Sequence, residues 1–334
     1  MNKKQTILML IQNDPLKLFD RAPQPIVDLL LEKEIPPKLS NVKKIYYYLR
    51  PYIPLRLRQY MQSKRRIKVS ERWFITDRLI KEYLNHTDAD TFLKRREMIW
   101  PHGNKAALVL THDVETSEGF DYIPEVIALE KKHGFVSSWN IVPHLYPVKK
   151  EILDLIHKSK HELGIHDYNH DGKLYFSRKI FNRRKVYIND AIKKYHAEGF
   201  RGGATNRNFE WEQDFDILYE ASAFDIDPFQ PMKGGTHSIW PFQAGKFIEL
   251  PYTLPQDHVI WIQLKQKDNR IWEEKTKWLY ENNGLILIIT HPDYIMMGDN
   301  LKKYEDLLLF FKSFQKLWHV LPAEVARFWK ETYT

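Results

Sequence analysis

From residue 105 onward, short apolar runs of strand length alternate with longer amphipathic segments of helix length. Strands and helices in this order build a parallel sheet, because each helix carries the chain back to the edge where the next strand starts. The predicted strands are Ala106–Thr111, Phe135–Val142, Glu162–His166, Phe200 with Arg201, Phe247–Pro251 and Leu285–Thr290. The predicted helices are Pro124–His133, Lys149–Lys160, Arg178–Ala197, Ile271–Asn282 and Leu301–Trp318. The sequence therefore predicts an α/β domain over residues 101–334, built on a parallel sheet or barrel.

Residues 1–100 differ from the rest of the chain and are predicted to form a mostly helical N-terminal extension. They hold 21 Lys and Arg against 11 Asp and Glu, so the net charge of +8 comes from this part of the chain. Residues 43–69 hold nine of these basic residues, no acid and several tyrosines. Such a segment can lie on an anionic membrane, or it can be a solvated basic helix packed on the main domain. Nucleic-acid binding is not expected, because no recognised module accompanies the charge.

The composition limits the kinds of catalysis and metal site that the protein can have, and the apolar runs indicate where it is located. There is no cysteine, so thiol catalysis and Cys-ligated zinc are excluded, and any metal must be held by His, Asp or Glu. The apolar run at residues 7–11 is shorter than the core of a signal peptide, and no window approaches the length of a membrane span. A cytoplasmic location is therefore expected, with or without peripheral membrane contact.

Ionisable side chains follow four of the predicted strands, at the point where each strand ends. They are Asp113 and Glu115, His166 and His170, Arg201, and His291. Any one of them alone is more simply explained as a helix cap, a surface histidine or an ordinary ion pair. In a β/α barrel, however, the carboxyl ends of the strands converge on one face, where active sites lie. Their placement after four separate strands therefore favours one shared site.

Two pairs within this set have a spacing that suits metal-assisted hydrolysis. His166 and His170 are four residues apart, so one helical turn or tight loop points both the same way. Asp113 and Glu115 are two apart, which puts both on one side of an extended strand. Two imidazoles and one carboxylate make a three-ligand metal site with room for water, and the other carboxylate could act as a base. The pattern leaves open which of the two acids has which role.

His291 and Arg201 complete the candidate site. A histidine at a strand end could protonate a leaving amine, and a carboxylate could orient its ring or another imidazole. The acids considered for that orienting role are Asp225, Asp227 and Asp293. The planar guanidinium of Arg201 could fix a carboxylate in place.

The order of these motifs resembles that of the polysaccharide deacetylases of the NodB-homology family. The motifs are T-x-D-x-E at Thr111–Glu115, E-x-G-x-H-x-x-x-H at Glu162–His170, F-R at Phe200 and Arg201, D-x-D-P-F at Asp225–Phe229, and T-H-P at Thr290–Pro292. The segments Pro251–Asp257 and His291–Tyr294 further resemble an uncharacterised subgroup linked to surface-polysaccharide genes. The resemblance covers most of the chain and leaves out residues 1–100.

This resemblance implies a distorted (β/α) barrel of the NodB-homology type. Members of the family use a divalent metal, usually zinc, to remove acetyl groups from amino sugars or glycans. Carried over to this chain, the family's metal ligands are Glu115, His166 and His170. The expected partner is an acetylated sugar or glycan.

The resemblance also assigns roles to the remaining residues of the site. Asp113 matches the catalytic base, His291 the general acid and Arg201 the arginine that braces the base. The substrate-binding residues expected from it are Tyr252, Trp139 and Asp225. The backbone near Arg201 and the residues around Tyr252 are expected to help bind the oxyanion.

Three positions depart from the family's pattern. Val114 stands where a second, adjacent aspartate is commoner, Glu115 is a methylene longer than the usual aspartate, and Gly203 stands where a proline is usual. These departures motivate a second hypothesis, a glycan-binding barrel that has lost catalysis. A third hypothesis is a metal-independent amidohydrolase acting on a small cyclic amide, an activity known among similar barrels.

Overall fold

A computed structural model describes residues 41–49, single residues and short stretches between 52 and 64, and residues 100–333 apart from 226, 228, 230–234, 237 and 282. The extension predicted over residues 1–100 therefore lies mostly outside the described residues. Its best described part is helix α1 (Asn41–Leu49). Among the described helices, none combines the length and apolar character needed to cross a membrane.

The described elements alternate between strand and helix over most of their length. The strands are β1 (Ala106–Val114), β2 (Ser138–Ile141), β3 (Glu162–His166), β4 (Gly199–Arg201), β5 (Tyr219–Glu220), β6 (Phe242–Ala244), β7 (Phe247–Glu249), β8 (Leu285–Thr290) and β9 (Leu317–His319). The helices after α1 are α2 (Ser117–Asp121), α3 (Ile123–His133), α4 (Lys150–Lys158), α5 (Arg178–Tyr195), α6 (Phe209–Glu212), α7 (Arg270–Glu281), α8 (Pro292–Ile295), α9 (Asn300–Lys312) and α10 (Pro322–Tyr333). A π-helical turn, His258–Gln263, precedes α7.

The strands form one curled, mostly parallel sheet in the order β6-β7-β5-β4-β3-β2-β1-β8. Strand β8 pairs with residues 107–112 of β1 on one edge, and β2 pairs with residues 111–114 on the other. Beyond β7 the chain returns to β8, where the Thr253 amide donates to the Leu287 carbonyl and the Thr253 hydroxyl donates to the Leu285 carbonyl. The sheet thereby curls into the distorted (β/α) barrel that was predicted.

Strands β1 and β8 lie at the centre of the core. Every residue in both strands is buried. Such strands are typical of parallel sheets that helices cover on the outside, because neither face of the strand meets water. The predicted bounds of β3 and β8 are the observed ones, and β1 runs three residues further than predicted, as far as Val114.

The C-terminal part of the chain departs from the prediction. The helix predicted over Leu301–Trp318 ends at Lys312, and Leu317–His319 is instead strand β9, which pairs with the first residues of β1. Pairing with a strand far away in sequence overrides the local helical periodicity at this point. The strand predicted over Phe135–Val142 is also shorter, since regular pairing covers only Ser138–Ile141.

Candidate active site

The three predicted metal ligands meet at the carboxyl end of the barrel. Glu115 follows β1, His166 ends β3, and His170 lies in the loop after β3. Glu115 Oε1 is 2.9 Å from His170 Nε2 and 3.5 Å from His166 Nε2. Burial by itself would raise the pKa of Glu115, but His170 and the other nearby imidazoles lower it well below its usual value. One ligand atom from each side chain lies within 4.8 Å of the others, so all three are within reach of a single ion.

The backbone fixes the orientation of the His166 ring. Its Nδ1 lies 3.0 Å from the carbonyl oxygen of Arg201, and because a carbonyl can only accept, Nδ1 must carry the proton. Nε2 then faces Glu115 Oε1 and Asp113 Oδ2, the latter 3.8 Å away, and although burial lowers the pKa of His166, these two carboxylates raise it. A hydrogen bond on the far nitrogen is the usual support of a metal-binding histidine. Two imidazoles and a carboxylate suit zinc or a similar divalent ion, so the donor set fits the expected metal.

Gly203 gives His170 room to approach the other two side chains. His170 and Asp167 both adopt left-handed backbone conformations, with φ of 55° and 58°, which turn the loop sharply back over the site. A Cβ built on Gly203 would overlap Asp167 Oδ2 and would lie 3.0 Å from His170 Cδ2. The ring of a proline at this position would meet the same atoms. The departure from the family's proline is therefore matched to the shape of this loop.

Val114 leaves the site intact because side chains alternate along β1. Asp113 and Glu115 lie on the side that faces His166, whereas Val114 lies on the other side and is fully buried. The valine between the two acids thus packs in the core and does not remove a group from the site.

Asp113 is held through one of its two oxygens. Oδ1 accepts hydrogen bonds from Arg201 Nη1 at 2.7 Å and from Asn140 Nδ2 at 2.9 Å. Burial by itself would raise the pKa of Asp113, but the charge of Arg201, followed by two nearby histidines and the Asn140 hydrogen bond, lowers it. The carboxylate is therefore ionised, and Oδ2 is the oxygen that faces His166.

Asp257 holds His291 through both its ring and its backbone. Asp257 Oδ1 lies 2.6 Å from His291 Nδ1, and Oδ2 accepts the His291 backbone N–H at 2.6 Å. The other ring nitrogen, Nε2, is 3.6 Å from Glu115 Oε1. Burial would lower the pKa of His291, but the charge and hydrogen bond of Asp257, with a further contribution from Glu115, raise it well above its usual value. His291 is therefore protonated at neutral pH.

The structure brings together six of the residues that the sequence singled out. They are Asp113, Glu115, His166, His170, Arg201 and His291. Two more residues belong to the arrangement and were missed, Asn140 on β2 and Asp257 before the π-helical turn. The signal for Asn140 was a polar residue inside a buried strand. Asp257 could have been found as an acid directly before a second histidine, His258, in a segment already noted for its resemblance.

Two residues predicted to bind substrate lie elsewhere. Trp139 on β2 is fully buried and stacks on His112 at 4.2 Å, on the side of the sheet opposite to Asn140. Neighbouring side chains of a strand face opposite sides, so Trp139 faces away from Asn140, and this placement does not support its predicted contact with substrate. Asp225 is also buried, and it forms an ion pair with Lys275 at 2.8 Å. It therefore ties α7 to the barrel.

Tyr252 is placed in the barrel wall. Its side chain is almost fully buried, and its backbone N–H already donates to the Ala223 carbonyl at 2.9 Å. That amide is therefore already bonded within the barrel wall, and oxyanion binding by the residues around Tyr252 stays a prediction. The ring of His291 is oriented by Asp257 rather than by Asp227 or Asp293, the other acids considered for that role.

Comparison with known proteins bears on the fold. Neither a family model nor a curated protein matches this sequence. A probable polysaccharide deacetylase from Pseudomonas aeruginosa PAO1 superposes with a TM-score of 0.57 at 15% identity, over 70% of this chain and 94% of that one. Puue allantoinase gives a TM-score of 0.56 at 14% identity, over 70% of this chain and 93% of that one. A candidate polysaccharide deacetylase from Mycobacterium smegmatis gives 0.54 at 14% identity, with the same coverage.

These three solved structures are matched over nearly their whole length. The identities are low, so the likeness concerns the course of the backbone rather than individual side chains. It agrees with the curled parallel sheet and the surrounding helices described above. The chain therefore has the (β/α)-barrel fold of the NodB-homology polysaccharide deacetylases.

Proposed function

We propose that the protein is a metal-dependent hydrolase that removes an acetyl group from the nitrogen of an amino sugar or glycan. The observation that supports this most strongly is a metal-ligand set flanked by an ionised acid, Asp113, and a protonated histidine, His291. Hydrolysis of an acetamide needs a group that takes a proton from water and another that gives a proton to the leaving nitrogen. The site presents both groups, with Asp113 as the proton acceptor and His291 as the proton donor, close to the same metal ligands.

Glu115, His166 and His170 would hold the divalent ion, for which zinc is the expected identity. When bound, such an ion acidifies water and polarises the carbonyl of the acetyl group. The low pKa of Glu115 keeps this side chain a carboxylate, and the proton on His166 Nδ1 keeps Nε2 available as a ligand.

Asp113 would take the proton from water. Its Oδ1 is engaged by Arg201 and Asn140, which leaves Oδ2 as the accepting atom. Arg201 also donates to the Ala221 carbonyl through Nε, so its guanidinium is fixed at two points and holds Asp113 in one orientation. The base is therefore positioned before any substrate binds.

His291 would give its proton to the leaving nitrogen. Asp257 holds Nδ1, so Nε2 is the nitrogen that faces the site and carries the transferable proton. Water supplies the oxygen that bonds to the acetyl carbon, the carbon–nitrogen bond breaks, and the products are acetate and a free amine. The imidazolium charge is balanced by Asp257 until the proton leaves.

The first test is the metal content of the purified protein. Wild type is expected to bind about one zinc or similar ion per chain, and His166→Ala/His170→Ala is expected to bind none. The matched control is His144→Ala/His157→Ala, which removes two exposed histidines and should leave the metal content unchanged. If wild type takes up no metal even after loading, the proposed mechanism is overturned.

The second test is acetate release from N-acetylated amino sugars and oligosaccharides by the metal-loaded protein. Asp113→Asn should abolish release while the metal remains bound, because the amide cannot accept the proton. If Asp113→Asn keeps both turnover and metal, Asp113 is not the group that takes the proton from water. If wild type binds an acetylated glycan and Asp113→Asn binds it equally well, with no turnover by either, the alternative of a glycan-binding barrel is favoured.

A metal-independent amidohydrolase acting on a small cyclic amide is the other candidate. The similarity to Puue allantoinase is as close as that to the two deacetylases, which favours keeping it. The two functions differ in their response to chelation. A deacetylase of the proposed kind loses activity on exhaustive chelation and regains it with metal, whereas full activity of the chelated protein on a cyclic amide would favour the amidohydrolase.

A further inference from the structure

Helix α1 packs on the loop that carries one of the proposed metal ligands. Tyr47 is buried against Phe176, with ring centroids 6.3 Å apart, and Tyr48 contacts the same ring at 5.9 Å. Gly172, with φ of 74°, lies so close to Tyr47 that a Cβ on this glycine would overlap the tyrosine ring. Gly172 is two residues after His170. Helix α1 therefore packs at the carboxyl end of the barrel, beside the candidate active site.

Several large apolar side chains in and after α1 are exposed. Ile45 and Leu49, one helical turn apart, are 59% and 53% exposed, and Tyr52 beyond the helix is 83% exposed. Tyr48, Leu57 and Met61 are also exposed. We call the exposed side chains of Ile45, Leu49, Tyr52, Leu57 and Met61 the docking surface. So many large apolar side chains in one short stretch are unusual on a surface that meets only water.

The charge of the same stretch indicates what the docking surface meets. Residues 43–69 contain nine Lys and Arg and no Asp or Glu. Positive charges near an anionic bilayer favour binding, and exposed aliphatic and tyrosine side chains can enter the headgroup region. A polyanion such as a nucleic acid would use the charge but would leave Ile45 and Leu49 in water. Only an anionic lipid surface uses both features.

We propose that the docking surface binds the face of an anionic lipid bilayer and holds the active site against it. The occupant is the bilayer itself, with acidic headgroups meeting the basic residues and the apolar side chains entering between them. Because α1 rests on the loop of His170, docking brings the metal-ligand site to the membrane. Resting on the function proposed above, this assigns the substrate class as an acetylated amino sugar linked to a membrane lipid.

The test of binding uses the full chain, without substrate, and vesicles that sediment. Wild type is expected to sediment with vesicles of equimolar phosphatidylcholine and phosphatidylglycerol, to bind pure phosphatidylcholine far more weakly, and to be released by salt. Ile45→Ser/Leu49→Ser/Tyr52→Ser should weaken vesicle binding by about tenfold or more, since it removes three apolar side chains from the contact. The matched control is Val186→Ser/Tyr187→Ser/Leu309→Ser, three exposed apolar side chains on α5 and α9. It should bind as wild type does.

Three results would overturn the proposal. They are absence of binding to the anionic vesicles at low salt, equal loss of binding in the test and control variants, and binding to heparin with none to vesicles. The last result would show a polyanion site instead. All six substituted positions are exposed, so both variants should fold. Melting temperatures equal to that of wild type would exclude unfolding as the cause of any loss of vesicle binding.

The proposed substrate class is tested by a separate measurement of reaction rates. With an acetylated amino sugar carried on a lipid in the same anionic vesicles, Ile45→Ser/Leu49→Ser/Tyr52→Ser should lower the rate by about tenfold, matching its loss of binding. On a water-soluble acetylated sugar the same variant should equal wild type. Equal rates of variant and wild type on the lipid-linked sugar would overturn the assignment. Vesicle binding requires neither metal nor turnover, so Asp113→Asn should still bind, and failure of the hydrolase proposal is distinguishable from failure of docking.

Discussion

Asp257 and His291 are joined by two hydrogen bonds of 2.6 Å, one to the imidazole Nδ1 and one to the backbone N–H of the same residue. The second bond fixes the position of the residue at the end of β8, and the first fixes the plane of its ring. Together they leave the ring one free nitrogen, Nε2, turned toward Glu115. Asp257 therefore raises the pKa of this strand-end histidine, as the proposed proton donation by His291 requires.

Replacing Asp257 by asparagine is expected to lower turnover by about a hundredfold or more, because an amide cannot balance the charge of the imidazolium. Metal content should stay at the wild-type value, since Asp257 is not among the ligands. The measurement is acetate release together with metal analysis on the same preparation. Asp268→Asn, at an exposed acid paired with Arg270, is the control and should be silent. Unchanged turnover in Asp257→Asn would show that the reaction needs no proton from His291.

Gly203→Ala is expected to weaken metal binding by about 10- to 100-fold, as loss of support around a ligand usually does. The added Cβ would overlap Asp167 Oδ2 and crowd the His170 ring. Affinity can be measured by competition with a chelating dye. The double variant Gly203→Ala/Asp167→Ala should recover part of the affinity, because it removes the overlapping oxygen. A single variant with wild-type affinity would mean that the loop adjusts without moving His170.

A buried polar network lies directly behind the site. His112 Nε2 is 2.8 Å from Glu130 Oε1, and His112 Nδ1 is 2.8 Å from Thr290 Oγ1. Glu130 also accepts hydrogen bonds from Tyr304 at 2.5 Å and from Ser137 at 2.7 Å. Burial would raise the pKa of Glu130, but His112 lowers it, so the acid is ionised inside the core. The network ties β1 to β8 at the residues that precede Asp113 and His291.

Breaking this pair from one side is expected to cost about 3–5 kcal/mol, because it leaves a buried charge without its partner. His112→Phe and Glu130→Gln should each lower the free energy of unfolding in urea by an amount of this order. The double variant should lose less than the sum, since the second change removes the orphaned group. Lys132→Ala breaks a surface ion pair with Glu305 and should cost no more than about 1 kcal/mol. Strict additivity in the cycle would argue against a direct interaction between His112 and Glu130.

Glu162 gives the protein a pH-dependent stability. Burial raises the pKa of Glu162 to about 7, against hydrogen bonds from Tyr219 and the Ala323 amide that act in the opposite direction. As pH rises past the usual value of 4.5, the unfolded chain loses this proton before the folded chain does. Stability from this group is therefore full at low pH, falls between about pH 4.5 and 7, and stays reduced above pH 7.

Glu162→Gln removes this titration. The variant is expected to gain melting temperature relative to wild type as the pH is raised from 5 to 8, whereas Glu281→Gln, at an exposed acid, should show no such trend. Melting curves at several pH values in one buffer series provide the measurement. A difference between variant and wild type that stays constant with pH would show that Glu162 is not protonated in the folded protein.

The sequence allowed much of the barrel and its site to be predicted because both depend on strand ends. The polar residues that follow β1, β3 and β8 could be placed on one face from the alternation of strand and helix alone. The meeting of Asp113 with Arg201 follows from that geometry, as does the pairing of Glu115 with His170. The resemblance to known deacetylases supplied the roles, which remain predictions until the metal and the reaction are measured.

The features that were missed depend on contacts between distant parts of the chain. Nothing near His291 in sequence identifies Asp257, which lies 34 residues away, as its partner. Asn140 rather than Trp139 faces the site, because one residue of register decides which face of β2 a side chain occupies. Leu317–His319 became a strand only because β1 offers it an edge. Side-chain partners and strand register are properties of the whole fold, so local pattern does not determine them.

The aromatic contact between the first and the last residues of the barrel domain has a consequence for protein engineering. Trp100 lies 5.9 Å from Trp329 and 6.0 Å from Trp318 between ring centroids, and β9 pairs with the start of β1. The chain thus enters and leaves the barrel at one place, near the amino ends of the strands and away from the site. A circular permutant that joins residue 333 to residue 100 by a short linker would lack α1 and its contacts beside His170, but it should keep the strand ends that carry the candidate site, which would free new termini for fusion elsewhere on the surface.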